Sequence, residues 1–246
     1  MLASLPDGVT ATPDFRARSQ DTELMDTEPV GAEDFRRCLA DLATVNRVTL
    51  AHRPTLAFLA HATRAHPPGP AGISVLDVAY GHGDMTRAIR RWCDRRGLPA
   101  TLSGVDLNPH SATAARAATP DAMRIDYRTG DVFDDAPDPC PDYVVSSLFT
   151  HHLPDADVVR FVEWMERTAR LGWFVNDLHR HRLPYEGFRA LSRTMRWHRF
   201  VQHDGPVSIT RAFVPSDWTR LLAAAHTPEA EVRRVAPWRL CVARLR

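Results

Sequence analysis

The most constraining feature of the chain is an apolar run that passes directly into a glycine-rich turn. The sequence Val75-Leu76-Asp77-Val78-Ala79-Tyr80-Gly81-His82-Gly83-Asp84 predicts a strand covered on both faces, because its apolar residues are nearly continuous. Gly81 and Gly83 allow a sharp turn and a close approach of the backbone to a ligand. A helix that begins near Gly83 would direct its free N–H groups at that ligand. The pattern is typical of a site for a nucleotide-like cofactor.

Three later segments repeat the order of a strand followed by polar residues. Asp106 ends the second run, about 20 residues beyond the glycine turn, where a carboxylate suits the two hydroxyls of a ribose. Asp131 follows a third run, and His151 and His152 follow a fourth. Strands that alternate with helical segments predict an α/β fold with a mostly parallel sheet.

With these motifs in this order, the chain resembles the class I methyltransferases that use S-adenosylmethionine. In that family an acid-x-Gly-x-Gly-x-Gly motif ends the first strand, and residues 77–83 match it with Ala79 in place of the first glycine. The resemblance covers about residues 70–180. It implies a Rossmann-like sheet, mostly parallel with an antiparallel closing strand, under an N-terminal helical cap.

The resemblance also assigns cofactor contacts. Asp106 would hold the ribose hydroxyls, Asp131 would accept from the adenine amino group, and Val132 would lie against the ring. Because alanine fits many tight turns, Ala79 is expected to be a mild departure. The full set of implied cofactor contacts is Asp77, Ala79, Tyr80, Gly81, Gly83, Asp106, Leu107, Asp131, Val132 and Ser147.

A nicotinamide dinucleotide is the alternative cofactor for such a turn. Its G-x-G-x-x-G fingerprint needs a small third residue where this chain has Thr86. Asp84 at the start of the helix would also repel a pyrophosphate. A sulfonium cofactor has no phosphate and carries a positive charge, so the acidic residues favour S-adenosylmethionine, with S-adenosylhomocysteine as its product.

Methyl transfer to a neutral hydroxyl also needs a base. Histidine suits this role because its ordinary pKa lies near neutrality, and the carboxyl edge of an open α/β sheet is where ligands bind. His152 is the preferred candidate and His151 the second. The alternative is that one histidine caps the following helix and the other has only a packing role. Further polar residues are expected to contact the acceptor, although each would equally suit a solvated loop: Asp177, His179, His203 and Arg211. Asp177 could instead orient a histidine.

The segments 145–153 and 176–181 are similar to those of bacterial methyltransferases encoded beside type III polyketide synthases. That similarity implies O-methylation of a small phenolic, quinone-like or polyketide acceptor in secondary metabolism. Two alternatives stay open. One is N- or C-methylation of a natural product, and the other is a repurposed cofactor-binding protein that catalyses a cyclisation or elimination without methyl transfer.

Composition limits the other function classes. The net charge is +1 over 246 residues, so nothing indicates bulk attraction to nucleic acid or to an anionic membrane. The four cysteines are scattered and no H-x₃-H or H-E-x-x-H pattern occurs, which predicts reduced thiols, a cytoplasmic location and no metal. No apolar run is long enough for a membrane span, and no signal-peptide pattern is present. A monomer or homodimer is expected.

The organisation along the chain predicts two parts. Residues 1–70 are expected to form a polar tail, over about the first 30 residues, and a helical cap. Residues 71–246 would form the methyltransferase domain, with a substrate-recognition insertion around 182–226. Within that insertion, Asp204-Gly205-Pro206 predicts a turn.

Overall fold

The computed structural model describes residues 13–27, 31–134 and 137–246. Half of the polar tail expected over the first 30 residues, namely residues 1–12 and 28–30, therefore lies outside the described residues. Seven strands form one sheet, and their bounds are β1 (Ile73–Val78), β2 (Ala100–Asp106), β3 (Ile125–Thr129), β4 (Tyr143–Ser147), β5 (Gly172–Leu178), β6 (Glu231–Val235) and β7 (Arg239–Leu245).

The described residues also form nine α-helices and two short 3₁₀ turns. The helices are α1 (Leu24–Thr27), α2 (Ala32–Val48), α3 (His52–Ala65), α4 (Asp84–Asp94), α5 (Pro109–Ala117), α6 (Asp155–Thr168), α7 (Arg182–Thr194), α8 (Arg199–Arg211) and α9 (Pro215–Ala224). The 3₁₀ turns are Asp121–Met123 and Thr150–His152. None of the described helices has both the length and the apolar character required to cross a membrane.

The strand order is β3-β2-β1-β4-β5-β7-β6. Strands β1 to β5 pair in parallel, whereas β7 runs antiparallel to both β5 and β6. The prediction of a mostly parallel sheet with an antiparallel closing strand is confirmed. Since the chain moves outward from β1 to β3 and then returns to the other side of β1, a crevice opens at the carboxyl ends of β1 and β4.

Helices cover both faces of the sheet. On one face α6 and α9 bury a core that includes Phe161, Met165 and Trp218. On the other face α3 and α4 bury Ile89, Trp92 and neighbouring side chains. This two-sided burial explains why the β1 sequence is a nearly continuous apolar run.

A smaller layer of helices lies over the carboxyl edge of the sheet. Here α2 and α8 share a cluster that includes Cys38, Val45 and Phe200. Helix α3 does not join this layer, because it packs on the sheet itself. The cap over the sheet edge is thus built from both ends of the chain.

The prediction of a turn at Asp204-Gly205-Pro206 is wrong, because these residues lie inside α8. The Asp204 carboxylate accepts the backbone N–H groups of Leu24 at 2.8 Å and Met25 at 3.1 Å. A Cβ on Gly205 would lie 2.0 Å from Phe188 Cε1, so glycine allows α7 and α8 to approach closely. These long-range contacts outweigh the local turn preference.

Candidate active site

A cavity of about 780 Å³ lies at the carboxyl edge of the sheet. Its floor comes from the ends of β1, β2, β4 and β5, and its roof comes from α2 and α8. The crevice predicted by the strand order and the helical layer above it therefore enclose one space. Its size suits a nucleotide-like molecule together with a small second ligand.

The glycine turn forms one wall of this cavity. Ala79, Gly81 and Gly83 all have positive φ, at 58°, 51° and 72°. A Cβ at Gly83 would lie 2.4 Å from Tyr127 Oη, so only glycine fits there. Ala79 in the left-handed region is destabilised by roughly 1 kcal/mol relative to glycine. Its replacement of the family's first glycine is therefore less mild than the sequence suggested.

Asp106 is fixed at the end of β2 by backbone donors. Its two carboxylate oxygens each accept at 2.9 Å, one from the N–H of Gly81 and the other from the N–H of Asn108. Burial raises the pKa of Asp106, and these hydrogen bonds oppose that rise. The carboxylate thus has a defined orientation beside the glycine turn, which a ribose would require.

Asp77 lies deeper, at the end of β1. It is buried, and it accepts a 2.6 Å hydrogen bond from the Thr86 hydroxyl. Burial raises the pKa of Asp77 to about 7, although the Thr86 hydrogen bond favours ionisation. Burial thus makes Asp77 hold its proton to a higher pH than an ordinary carboxyl group does.

A second acid at the turn was not predicted as a site residue. The Asp84 carboxylate lies 2.7 Å from Nε2 of His52 and accepts a 3.1 Å hydrogen bond from the Asn46 amide. Burial opposes its ionisation, but the His52 contact and the Asn46 hydrogen bond outweigh burial and lower its pKa. All three residues line the cavity. Only the position of Asp84 at the start of the helix signalled its place near a ligand.

The 3₁₀ turn after β4 brings His151 against Asp177. Nδ1 of His151 lies 2.7 Å from Asp177 Oδ1. The other carboxylate oxygen accepts from the Thr150 hydroxyl and from the backbone N–H of His151. Burial of Asp177 opposes ionisation, but His151 and these donors outweigh it and hold the pKa of Asp177 well below its usual range. The result is a histidine oriented by a buried carboxylate.

Glu23 approaches the same histidines from the segment before α1. Its carboxylate oxygens lie 3.8 Å from Nε2 of His151 and 3.8 Å from Nε2 of His152, and one oxygen accepts a 2.9 Å hydrogen bond from the Ser208 hydroxyl. The potential ligand atoms of Glu23, His151 and His152 lie within 4.8 Å of one another. This arrangement could hold a divalent cation, and no spacing in the sequence indicated it.

The cavity unites most of the predicted cofactor contacts. Those that line it are Asp77, Ala79, Tyr80, Gly81, Asp106, Leu107 and Ser147. Gly83, Asp131 and Val132 do not line it; Asp131 is exposed and binds the backbone N–H of Phe133, while Val132 packs in the core.

Tyr80 lines the cavity, but most of its side chain is buried against the sheet. Its ring packs on Tyr127 at a centroid distance of 4.8 Å. Its hydroxyl donates to the carbonyl of Arg128 at 3.1 Å. Tyr80 therefore packs against β2 and β3.

The predicted acceptor contacts are dispersed. His151 and His152 line the cavity, and Asp177 lies directly behind His151. His179, His203 and Arg211 do not line it. Arg211 instead donates to the backbone carbonyls of His151 at 3.2 Å and His152 at 2.8 Å, which fixes the turn that carries them.

The strand order, the glycine turn and the acidic ends of β1 and β2 define the Rossmann-like fold of class I methyltransferases. Residues 75–172 match the model of a family described as a methyltransferase domain. A search with the sequence finds no match among proteins with curated functions.

Solved structures share the fold at low sequence identity. The human N-acetylserotonin methyltransferase, in complex with S-adenosylmethionine, is 14% identical with a TM-score of 0.61, over 88% of this chain and 56% of that one. The plantazolicin methyltransferase BpumL, in complex with S-adenosylhomocysteine, is 13% identical with a TM-score of 0.62, over 85% and 94%. Magnesium protoporphyrin IX methyltransferase from Synechocystis PCC 6803, with S-adenosylhomocysteine bound, is 12% identical with a TM-score of 0.53, over 80% and 84%. This chain thus spans little more than half the length of the human protein in that structure.

Proposed function

We propose that the protein is an S-adenosylmethionine-dependent methyltransferase that O-methylates a small phenolic, quinone-like or polyketide acceptor, with His151 as the general base. The observation that carries the proposal is the buried His151–Asp177 pair in the same cavity as the glycine turn. The methyltransferase family match over residues 75–172 supports the reaction class. The shared fold of structures that hold S-adenosylmethionine or S-adenosylhomocysteine supports the cofactor.

The residues of the turn fit this cofactor. A Cβ placed on Gly81 would meet only Leu39 Cδ2, at 3.9 Å, so the backbone of the turn faces open space. Asp106 beside it would bind the two ribose hydroxyls, and the exposed Leu107 would lie against the adenine ring. When bound, the cofactor supplies an electrophilic methyl group on a positively charged sulfur.

The His151–Asp177 pair would supply the base. When Asp177 accepts a hydrogen bond from Nδ1–H, the neutral imidazole carries its lone pair on Nε2. An acceptor hydroxyl near Nε2 would give its proton to that nitrogen as the oxygen takes the methyl group. Asp177 stays ionised and would stabilise the imidazolium that forms. The buried carboxylate that accepts from both the ring and the backbone N–H of His151 favours His151 over His152, the histidine preferred from the sequence.

Product analysis tests the reaction. The protein is incubated with S-adenosylmethionine and a panel of phenols, quinones and hydroxylated polyketides, and products are read by mass spectrometry. We expect the mass gain of one methyl group together with release of S-adenosylhomocysteine. Cofactor binding with only mass-neutral or dehydrated products would contradict methyl transfer and favour the repurposed alternative.

A matched pair of variants tests the base. His151→Ala should lower turnover by roughly 10²-fold or more, whereas His152→Ala should have a smaller effect. Cofactor affinity, measured by calorimetry, should be retained in both. A larger loss of turnover in His152→Ala would move the base to His152.

A further inference from the structure

Arg239 is a buried cation that the proposed reaction does not use. It is the first residue of β7, it pairs with Leu178 of β5, and both residues line the cavity. Arg239 is only 3% exposed to solvent. Nη2 donates to the Thr49 hydroxyl at 3.1 Å, whereas the buried Nη1 has no hydrogen-bond partner among the residues that the structure describes. A buried guanidinium is costly unless an anion pairs with it, so the site is incomplete without one.

Among the described residues, none pairs with Arg239 as a salt-bridge anion. Burial lowers the pKa of Arg239, and the attraction of Asp177 opposes this only in part. However, both Asp177 oxygens are already engaged, by the ring and backbone of His151, by Thr150 and by the N–H of Leu178. Because Arg239 lines the cavity, a ligand bound there could supply the missing partner of Nη1.

The strand that carries Arg239 lies on the acceptor side of the sheet. Strand β7 lies three places from β1 in the sheet, a separation of ~14 Å at the usual strand spacing. The glycine turn and Asp106 lie at the ends of β1 and β2, whereas β5, next to β7, carries Asp177 behind the base. The cavity wall contributed by α7 and α8 adds Phe188, Phe200 and Ile209, which suit a ring.

We propose that Arg239 binds the carboxylate of the acceptor, so that the substrate is an aromatic hydroxy acid. In this arrangement the hydroxyl of the acceptor faces His151 and its carboxylate faces Arg239. The inference rests on the proposed function, because it names the substrate class of the same site. A charge-assisted pair of this kind changes affinity by about ten- to a hundred-fold.

Matched ligands test it directly. Hydroxybenzoates with the hydroxyl at each ring position are compared with the corresponding hydroxybenzamides, which have the same shape and no charge. Binding is measured by calorimetry in the presence of S-adenosylhomocysteine, so the result does not depend on methyl transfer. We expect the best hydroxybenzoate to bind at least about ten times more tightly than its amide. No carboxylate preference in the wild-type protein would overturn the proposal, and this holds whether or not a variant folds.

Two variants locate the preference. Arg239→Gln should abolish the discrimination between acid and amide, while Arg239→Lys should retain part of it. Affinity for S-adenosylmethionine should stay unchanged in both. If Arg239→Gln instead weakens cofactor binding and keeps the acid preference, the carboxylate belongs to the cofactor and the proposal is wrong. Methylation of neutral phenols with no acid preference would overturn this inference alone, whereas acid preference without any methylation would overturn only the proposed function.

Discussion

The imidazole of His151 has its orientation and tautomer set by a single buried carboxylate. Asp177 accepts at Nδ1, and the same carboxylate takes the backbone N–H of His151, so ring and backbone are fixed together. Asp177→Asn would present an amide that can donate to Nδ1 and would favour the wrong tautomer. We expect turnover to fall by roughly 10²-fold or more with little change in cofactor affinity. The check is a turnover assay paired with calorimetry, and near-native turnover would remove Asp177 from the proposed base pair.

Asp77 gives a pH-dependent contribution to stability with a definite sign. Its pKa is raised to about 7 by burial, above the value of about 3.9 expected in the unfolded chain. The native state therefore holds this proton more tightly, and its contribution is present below about pH 4 and lost as the pH rises to about 7. Asp77→Asn should remove this dependence. The free energy of unfolding is measured by urea titration. The value for the variant minus that for the wild type should increase by a few kcal/mol between about pH 4 and about pH 7 and stay level above that. A difference that does not change with pH would contradict the assignment.

Ala79 is a third single-residue feature with a measurable cost. Its φ of 58° favours glycine, so Ala79→Gly should stabilise the fold by up to about 1 kcal/mol, net of the added freedom of the unfolded chain. Ala57→Gly is the control. Because Ala57 is exposed inside α3, this substitution should destabilise the protein by about 1 kcal/mol. Opposite signs in urea unfolding would support the backbone argument, and equal signs would refute it.

At the scale of elements, Arg18 helps to tie the segment before α1 to the 3₁₀ turn that carries His151 and His152. Arg18 donates to the carbonyls of Leu153 at 2.9 Å and His151 at 3.2 Å, and pairs with Asp155 at 2.5 Å. It also lies 4.1 Å from the centre of the Phe213 ring. This segment carries Glu23 toward the histidines. The cap is thus held by specific polar contacts as well as by apolar packing.

Replacing Arg18 should therefore loosen the segment and disturb the histidines. Arg18→Ala should destabilise the protein by about 3 kcal/mol, since the part-buried carbonyls of Leu153 and Arg211 lose the donor that Arg18 supplies. It should also increase amide hydrogen exchange in residues 13–27. Arg16→Ala is the matched control, because Arg16 is exposed and pairs with nearby Asp14. The effect of this substitution should stay below about 0.5 kcal/mol. Equal effects of the two substitutions would show that the contacts of Arg18 are not what holds the segment.

At the scale of the whole molecule, the features predictable from sequence are those encoded by neighbouring residues. The β1 strand, the glycine turn and the position of Asp106 follow from local patterns, because apolar runs and glycines act within a few residues. The roles of Glu23 and Arg239 depend on which distant segments meet over the sheet edge, and no local pattern carries that information. The same reason explains why the turn expected at Asp204 is instead part of α8.

The cap and the sheet should behave as one cooperative unit. Helices α2 and α8 come from opposite ends of the chain, and they bury Val45, Phe200 and Val201 in a shared cluster. A fragment of residues 71–246 would expose the α8 side of that cluster and would lack the α2 part of the cavity roof. The fragment would also lack α3, so part of one face of the sheet would be uncovered. We therefore expect it to bind the dye ANS and to unfold with low cooperativity. We also expect it to bind S-adenosylmethionine at least about ten-fold more weakly. Calorimetry and dye fluorescence measure these changes, and adding back a peptide of residues 13–70 should partly reverse them. A fragment that folds cooperatively and binds the cofactor normally would show that residues 71–246 are an independent domain and that the cap serves only the acceptor.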